Sequence, residues 1–313
     1  MEKEEVTYTK AGKGAEKREY IYTAAGTIGS TKGPEGVTAF RYTGAHRLAG
    51  VTDHNGETLG YSYDGRGNVT GITYPDGNSV DYVYGGENRL LSIEGMDGQV
   101  FNYQYDHDGR LTGIVHPTGA STFYTYNRAG YLTNLREVNP QNQTLKQITY
   151  AYDDAGNLSD ETRQGVETDW RRETVFYDYD NLNRLVSSVK NSPKSSLTSQ
   201  YSFDAGGNLT RATVDGKTTD YSYNSLNQLT QKTDETGQTR YSYDKNGNLV
   251  GTVGPKGERS YEYNNDNRLT LGKNETGETS AYTYNALGYR VKTEQVRDNI
   301  NAGHQNVLVD SGS

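Results

Sequence analysis

The feature that most constrains this chain is one pattern returning thirteen times. Its clearest copy, Tyr241 to Thr252, reads YSYDKNGNLVGT: two tyrosines one residue apart, an aspartate, a short polar turn, then Asn-Leu and a β-prone tail. The second aromatic falls at residues 22, 42, 63, 84, 105, 126, 152, 179, 203, 223, 243, 263 and 284. The gaps are 20 or 21 residues, except for 26, 27 and 24 in the middle. A period of that size belongs to repeat architectures, in which no unit can bury its apolar face without its neighbours. One array is therefore expected where 313 residues would otherwise suggest two domains.

Residues i and i+2 of a strand share a face, so the aromatic pairs line one side of a sheet. The expected ladder includes Tyr61/Tyr63, Tyr82/Tyr84, Tyr103/Tyr105, Tyr124/Tyr126, Tyr221/Tyr223, Tyr241/Tyr243 and Tyr261/Tyr263. Twenty-four of the 28 tyrosines sit in such pairs, and Phe40 and Phe203 fill the two remaining places. The ring is thus expected to matter more than the hydroxyl. The next position is Asp or Asn in ten units, a side chain that accepts a backbone hydrogen bond two residues on and starts a turn.

Three residues later stands a column of mostly glycine and asparagine: Gly67, Asn88, Gly109, Gly130, Gly156, Asn183, Gly207, Asn227, Gly247, Asn267 and Gly288. What these two types share is tolerance of a left-handed backbone. A hairpin loop of three to five residues with one positive-φ position fits, and the two types should exchange freely. A second turn closes each unit, as at Pro75-Asp76-Gly77 and Lys256-Gly257. Thirteen units of strand, turn, strand and turn make about 26 strands.

The expected fold is all-β: tandem antiparallel β-hairpin repeats wound into a spiralling sheet, as a shell, a barrel-like body or a solenoid. An open twisted sheet rarely exceeds about ten strands without curling. Residues 20–290 form the array, with 1–19 a degenerate N-terminal segment and 291–313 a tail. The apolar fraction of 32% is below the usual ~45%, so the core must be thin and built from tyrosine rings.

Composition excludes much. The chain has no cysteine, hence neither a disulfide framework nor thiol chemistry. A net charge of −8 with scattered Lys and Arg argues against nucleic acid. No apolar run is long enough to insert in a membrane as a helix, and residues 1–19 carry no secretion signal. The five histidines share no repeat position, and Asp106-His107-Asp108 falls on a turn. No catalytic residue, metal or cofactor is expected: the turn aspartates lack the calcium-loop spacing, and Asn replaces Asp in four units.

Tyr-x-Tyr-Asp-x-x-Gly-Asn-Leu at this period resembles the tyrosine-aspartate (YD) repeats of the rearrangement-hotspot (Rhs) family. That family includes bacterial wall-associated and polymorphic toxin proteins, toxin-complex shell subunits and teneurins. The resemblance covers about residues 20 to 290. It implies a hollow β-shell or scaffold, in a large secreted or cell-surface bacterial protein, that encloses or presents a toxin or effector. The partners would then be the rest of the parent chain or its cargo. Such shells usually end in an Asp-Pro-x-x-Gly-Arg-type segment, and no such motif occurs here, so cargo release is not expected of these residues. The alternative is an adhesion module that binds carbohydrate or a cell-surface receptor through an exposed tyrosine ladder. Exposure of the rings separates the two readings.

Overall fold

The structure, a computed structural model, describes residues 3–10, 13–33, 36–166, 172–297 and 306–309. Every described element is a β-strand, 28 in all, and they are assigned to one sheet. Each described pairing is antiparallel and joins sequence neighbours, from Lys3–Lys10 with Lys13–Tyr22 to Arg290–Arg297 with Asn306–Val309. These two flanking strands, Lys3–Lys10 and Asn306–Val309, account for the excess over the 26 that thirteen units supply. Part of the C-terminal tail lies outside the described residues. The chain forms two compact units, one of residues 1–61 and 221–313, the other of residues 62–220.

One hairpin explains the rest. Strands Val100–Tyr105 and Leu111–Val115 are joined by a loop in which the Asp106 amide donates to the Arg110 carbonyl (3.0 Å) and the Gly109 amide to the Asp106 carbonyl (3.1 Å). This is a turn followed by one left-handed residue, the three-residue hairpin connection. All thirteen residues of the Gly/Asn column, including His46, have positive φ, from 58° at Asn88 to 102° at Gly67. The side chain that opens the turn accounts for the loop amides: Asp64 Oδ1 accepts from the amides of Arg66 (2.9 Å), Gly67 (2.7 Å) and Asn68 (2.9 Å).

Past each loop the register slips by one residue. Tyr105 faces Leu111, but Gln104 faces Gly113, and the same slip recurs at Tyr42, Tyr126, Tyr179 and Tyr284. Such a bulge bends its strand and increases its twist. Between units the ladder stops short of the turn. Leu111–Val115 pairs with Ser121–Tyr126 only from Gly113 opposite Phe123, so Leu111 lies beyond the last backbone pair.

The core is thin. Its fully buried apolar residues are Ala49, Val138, Ile148, Val175 and Ala286, among the described residues. Opposite the first aromatic of each pair, and on its face, stand Val51, Ile93, Ile114 and Leu135 in early units. Later units place Glu161, Ser188, Ala212, Thr252 and Gly272 there. From the second unit onward the floor between the rings therefore passes from aliphatic to small or polar residues, while the first unit has Thr31 opposite Tyr20.

The turn geometry is directly testable. Gly247 has φ of +87°, and an added Cβ would lie 3.3 Å from Gln228 Nε2. Gly247→Val is expected to cost about 1–2 kcal/mol more than Lys245→Val, measured from urea midpoints. Equal midpoints would refute the left-handed assignment.

Candidate functional site: the tyrosine ladder and the turn rim

All 26 residues of the aromatic pairs are half-buried, neither fully buried nor exposed, while Ser62, Val83 and Gln104, each between two rings, are exposed. The rings of Tyr61, Tyr63, Tyr82, Tyr84, Tyr103, Tyr124, Tyr221, Tyr223, Tyr241 and Tyr261 thus share one environment. Burial pushes the phenols of Tyr82, Tyr105, Tyr243 and Tyr263 above their ordinary range. At Tyr177 burial, with the Glu161 carboxylate beside it, raises the value to about 12.

The second tyrosine of the pair does more than cover surface. Its hydroxyl donates to the carbonyl left outside the ladder in the preceding unit. The bonds are Tyr42 to Ile28 (2.9 Å), Tyr105 to Leu90 (2.9 Å), Tyr126 to Leu111 (2.8 Å) and Tyr152 to Leu132 (2.8 Å). Tyr179 to Leu158 (3.0 Å), Tyr243 to Leu229 (2.9 Å) and Tyr284 to Leu269 (2.9 Å) repeat the arrangement. The expectation that the hydroxyl is secondary is therefore corrected for this column. Sequence could not reveal it, because each of the two columns holds a single Phe. At Phe203, which has no hydroxyl, the Arg184 guanidinium lies 4.8 Å over the ring.

At the turns a second set of bonds joins neighbouring units. Asn68 Nδ2 donates to Asp64 Oδ2 in its own turn (2.9 Å) and to Asn88 Oδ1 in the next (3.1 Å). Asn157 does the same with Asp153 (3.0 Å) and Asn183 (3.0 Å), and Asn248 with Asp244 (2.9 Å) and Asn267 (2.8 Å). Where arginine takes that place it spans the same gap. Arg184 Nε donates to Asp180 Oδ2 (2.7 Å) and Nη1 to the Asp204 carbonyl (3.2 Å).

Glycine and asparagine in the column are consequently not interchangeable. Asn88, Asn183 and Asn267 accept bonds that glycine could not. A Cβ at Gly109 would meet the Arg89 guanidinium at 3.2 Å, and one at Gly156 would strike the Tyr131 ring. Gly130 and Gly207 have open space around them.

These bonds also set the turn carboxyls. The side chains of Asn68, Asn157 and Asn208 lower the pKa of Asp64, Asp153 and Asp204, and that of Arg184 lowers Asp180. In the unit of residues 1–61 and 221–313, the buried Arg18 donates through Nη1 to Asp266 Oδ2 (2.7 Å), and the Tyr20 hydroxyl to the Ala286 carbonyl (2.8 Å). The first repeat strand thus rests on the turns of the last two units. Asp106, of the Asp-His-Asp triplet, is engaged with the Arg110 amide and guanidinium as a turn residue. No group of His, Asp and Glu among the described residues is placed to hold a metal, and no described helix is long and apolar enough to cross a membrane.

The sequence profile of the Teneurin YD-shell family matches residues 124–302, more than half of the chain, and that of the RHS repeat matches 42–79 and 84–122. The chain belongs to the Teneurin YD-shell family. Among solved structures, the YD-shell fold matches a chain of TcdB2-TccC3-Cdc42 at 16% identity and a TM-score of 0.67, covering 99% of this chain and 20% of that one. TcdB2-TccC3 without its hypervariable C-terminal region gives 16%, 0.67, 99% and 20%. The Photorhabdus luminescens Tc holotoxin pore gives 16%, 0.64, 96% and 19%. This YD-shell chain therefore spans about a fifth of the length of the solved chains it matches. No curated protein matches its sequence significantly.

Tyr126→Phe removes one inter-unit bond and is expected to cost about 1 kcal/mol, whereas Tyr→Phe at Tyr103, whose neighbour in the pair carries the bond, should cost less. Thermal or urea unfolding of the two variants decides it. The turn carboxyls make a prediction about acid. Their pKa values are lower folded than unfolded, so the unfolded chain binds protons first as pH falls. Stability should be flat above about pH 4 and fall as pH drops through the folded values. Replacing Asp64, Asp153 and Asp204 together by Asn should lower the neutral-pH midpoint and flatten this acid limb. An unchanged acid limb would contradict the assignment.

Proposed function

We propose that this chain is a stretch of wall in a larger YD-repeat shell, structural and not enzymatic, in a secreted or cell-surface protein whose shell encloses or presents a toxin or effector. The observation that carries this reading is the unit-to-unit bonding at the turn ends, where tyrosine hydroxyls and rim amides tie each hairpin to the one before. Such bonding suits a continuous, rigid wall. The match to chains of toxin complexes supports the larger setting, as does the short share of those chains that this one spans.

Limited proteolysis of the full-length parent protein tests it. The segment enclosed by the wall should resist digestion in the intact protein and become sensitive in a Tyr105→Phe/Tyr126→Phe/Tyr152→Phe variant. Digestion of that segment as fast in the intact protein as in isolation would sink the wall reading. Purified chain held at neutral pH should stay intact by mass spectrometry; a discrete self-cleavage product would contradict the structural role.

A further inference from the structure

Two columns of the repeat vary together across each junction between units. The residue after a left-handed position changes type with the left-handed residue of the following unit. Asn68, Asn157, Asn208 and Asn248 each precede a unit with asparagine there: Asn88, Asn183, Asn227 and Asn267. The five arginines of this column, together with Tyr131 and Gln228, each precede a unit with glycine. The remaining junction, Thr27 with His46, uses neither form, and no junction mixes the two.

The geometry gives each form its reason. Asn68, Asn157 and Asn248 donate through Nδ2 to Oδ1 of Asn88, Asn183 and Asn267 (3.1, 3.0 and 2.8 Å), an acceptor that glycine does not carry. Arginine crosses the same gap differently. It reaches the opening carbonyl of the next turn, as Arg89 does at Asp106 (3.1 Å) and Arg110 at Asn127 (3.4 Å). Its guanidinium also lies over the next aromatic, 5.9 Å from Tyr105 and 5.1 Å from Tyr126. A side chain on the following left-handed residue would enter this path. A Cβ at Gly109 would lie 3.2 Å from the Arg89 guanidinium and one at Gly247 3.3 Å from Gln228 Nε2, while those at Gly156 and Gly288 would press on Tyr131 and Arg268. The backbone does not make the choice, because positive φ is common to the whole column and both glycine and asparagine tolerate it.

We propose that these two columns form a specificity key that decides which hairpin can dock on which. Asparagine accepts a unit carrying asparagine, and arginine, glutamine or tyrosine accepts one carrying glycine. Hairpins that share one motif invite mispaired order and exchange between chains. A mismatched key costs a bond or makes a clash, which is discrimination by penalty as well as by attraction. The key acts between successive units and does not rest on what a wall encloses.

A double-mutant cycle at one junction provides the test. Asn157→Arg and Asn183→Gly each break the key, and each should lower the urea midpoint. Together they rebuild the arginine–glycine form of the next junction, since Asp153 holds residue 157 as Asp180 holds Arg184. The double variant should therefore recover at least about half of the summed loss. Asn157→Arg combined with Asn227→Gly, two junctions along, should instead lose the sum of its parts. Should these variants fail to fold, Gln228→Asn with Gly247→Asn runs the cycle in the other direction, with the same recovery expected. Additive losses within a junction, or a mismatched single variant as stable as the parent chain, would overturn the key.

Discussion

A phenol hydroxyl bonded to a carbonyl one unit back holds this sheet together where its own ladder runs out. The first residue of each returning strand pairs within its own hairpin, past a one-residue register slip, but the ladder to the next unit begins two residues further on. That carbonyl would otherwise lose its partner at a half-buried edge, a cost of about 1–3 kcal/mol. Tyr126 and its equivalents supply the missing donor and lay a ring across the gap in the same step. The tyrosine is thus the answer to a problem that the turn creates.

The rim solves the neighbouring problem with amides. Within a turn, Asp or Asn satisfies the loop amides, and its second atom is matched to the residue four on. Asp64 accepts from Asn68, whereas Asn224 donates to Gln228 and Asn274 to Glu278. What looks like loose Asp/Asn exchange is, at these turns, a donor–acceptor pairing. The Asn68 and Asn248 amides then reach into the next turn and tie adjacent hairpins together, the nearest-neighbour linkage on which stability in a repeat array rests.

These two devices let a chain poor in aliphatic residues keep a continuous sheet, which is what a YD-shell wall needs. They also leave the tyrosine face uneven. Several early units, after a first unit with Thr31 and Thr38, place Val, Ile, Leu or Phe between the rings. Around Gly272 the floor drops, and the same rings become the walls of a cleft.

The sequence by itself determined the period, the hairpins, the left-handed column and the family, because each rests on local backbone chemistry repeated until chance was excluded. It could not assign the tyrosine hydroxyl. The acceptor is a carbonyl in the preceding unit, left over because the ladder between units stops short of the turn, which no residue type announces. Nor could it separate Asn267 from Gly247, since both satisfy the same φ and only the neighbouring turn distinguishes them. The floor column was on the page as letters, but which residue stands opposite which ring depends on that one-residue slip. Only the paired strands decided it, and with it the placing of Gly272 between two tyrosines.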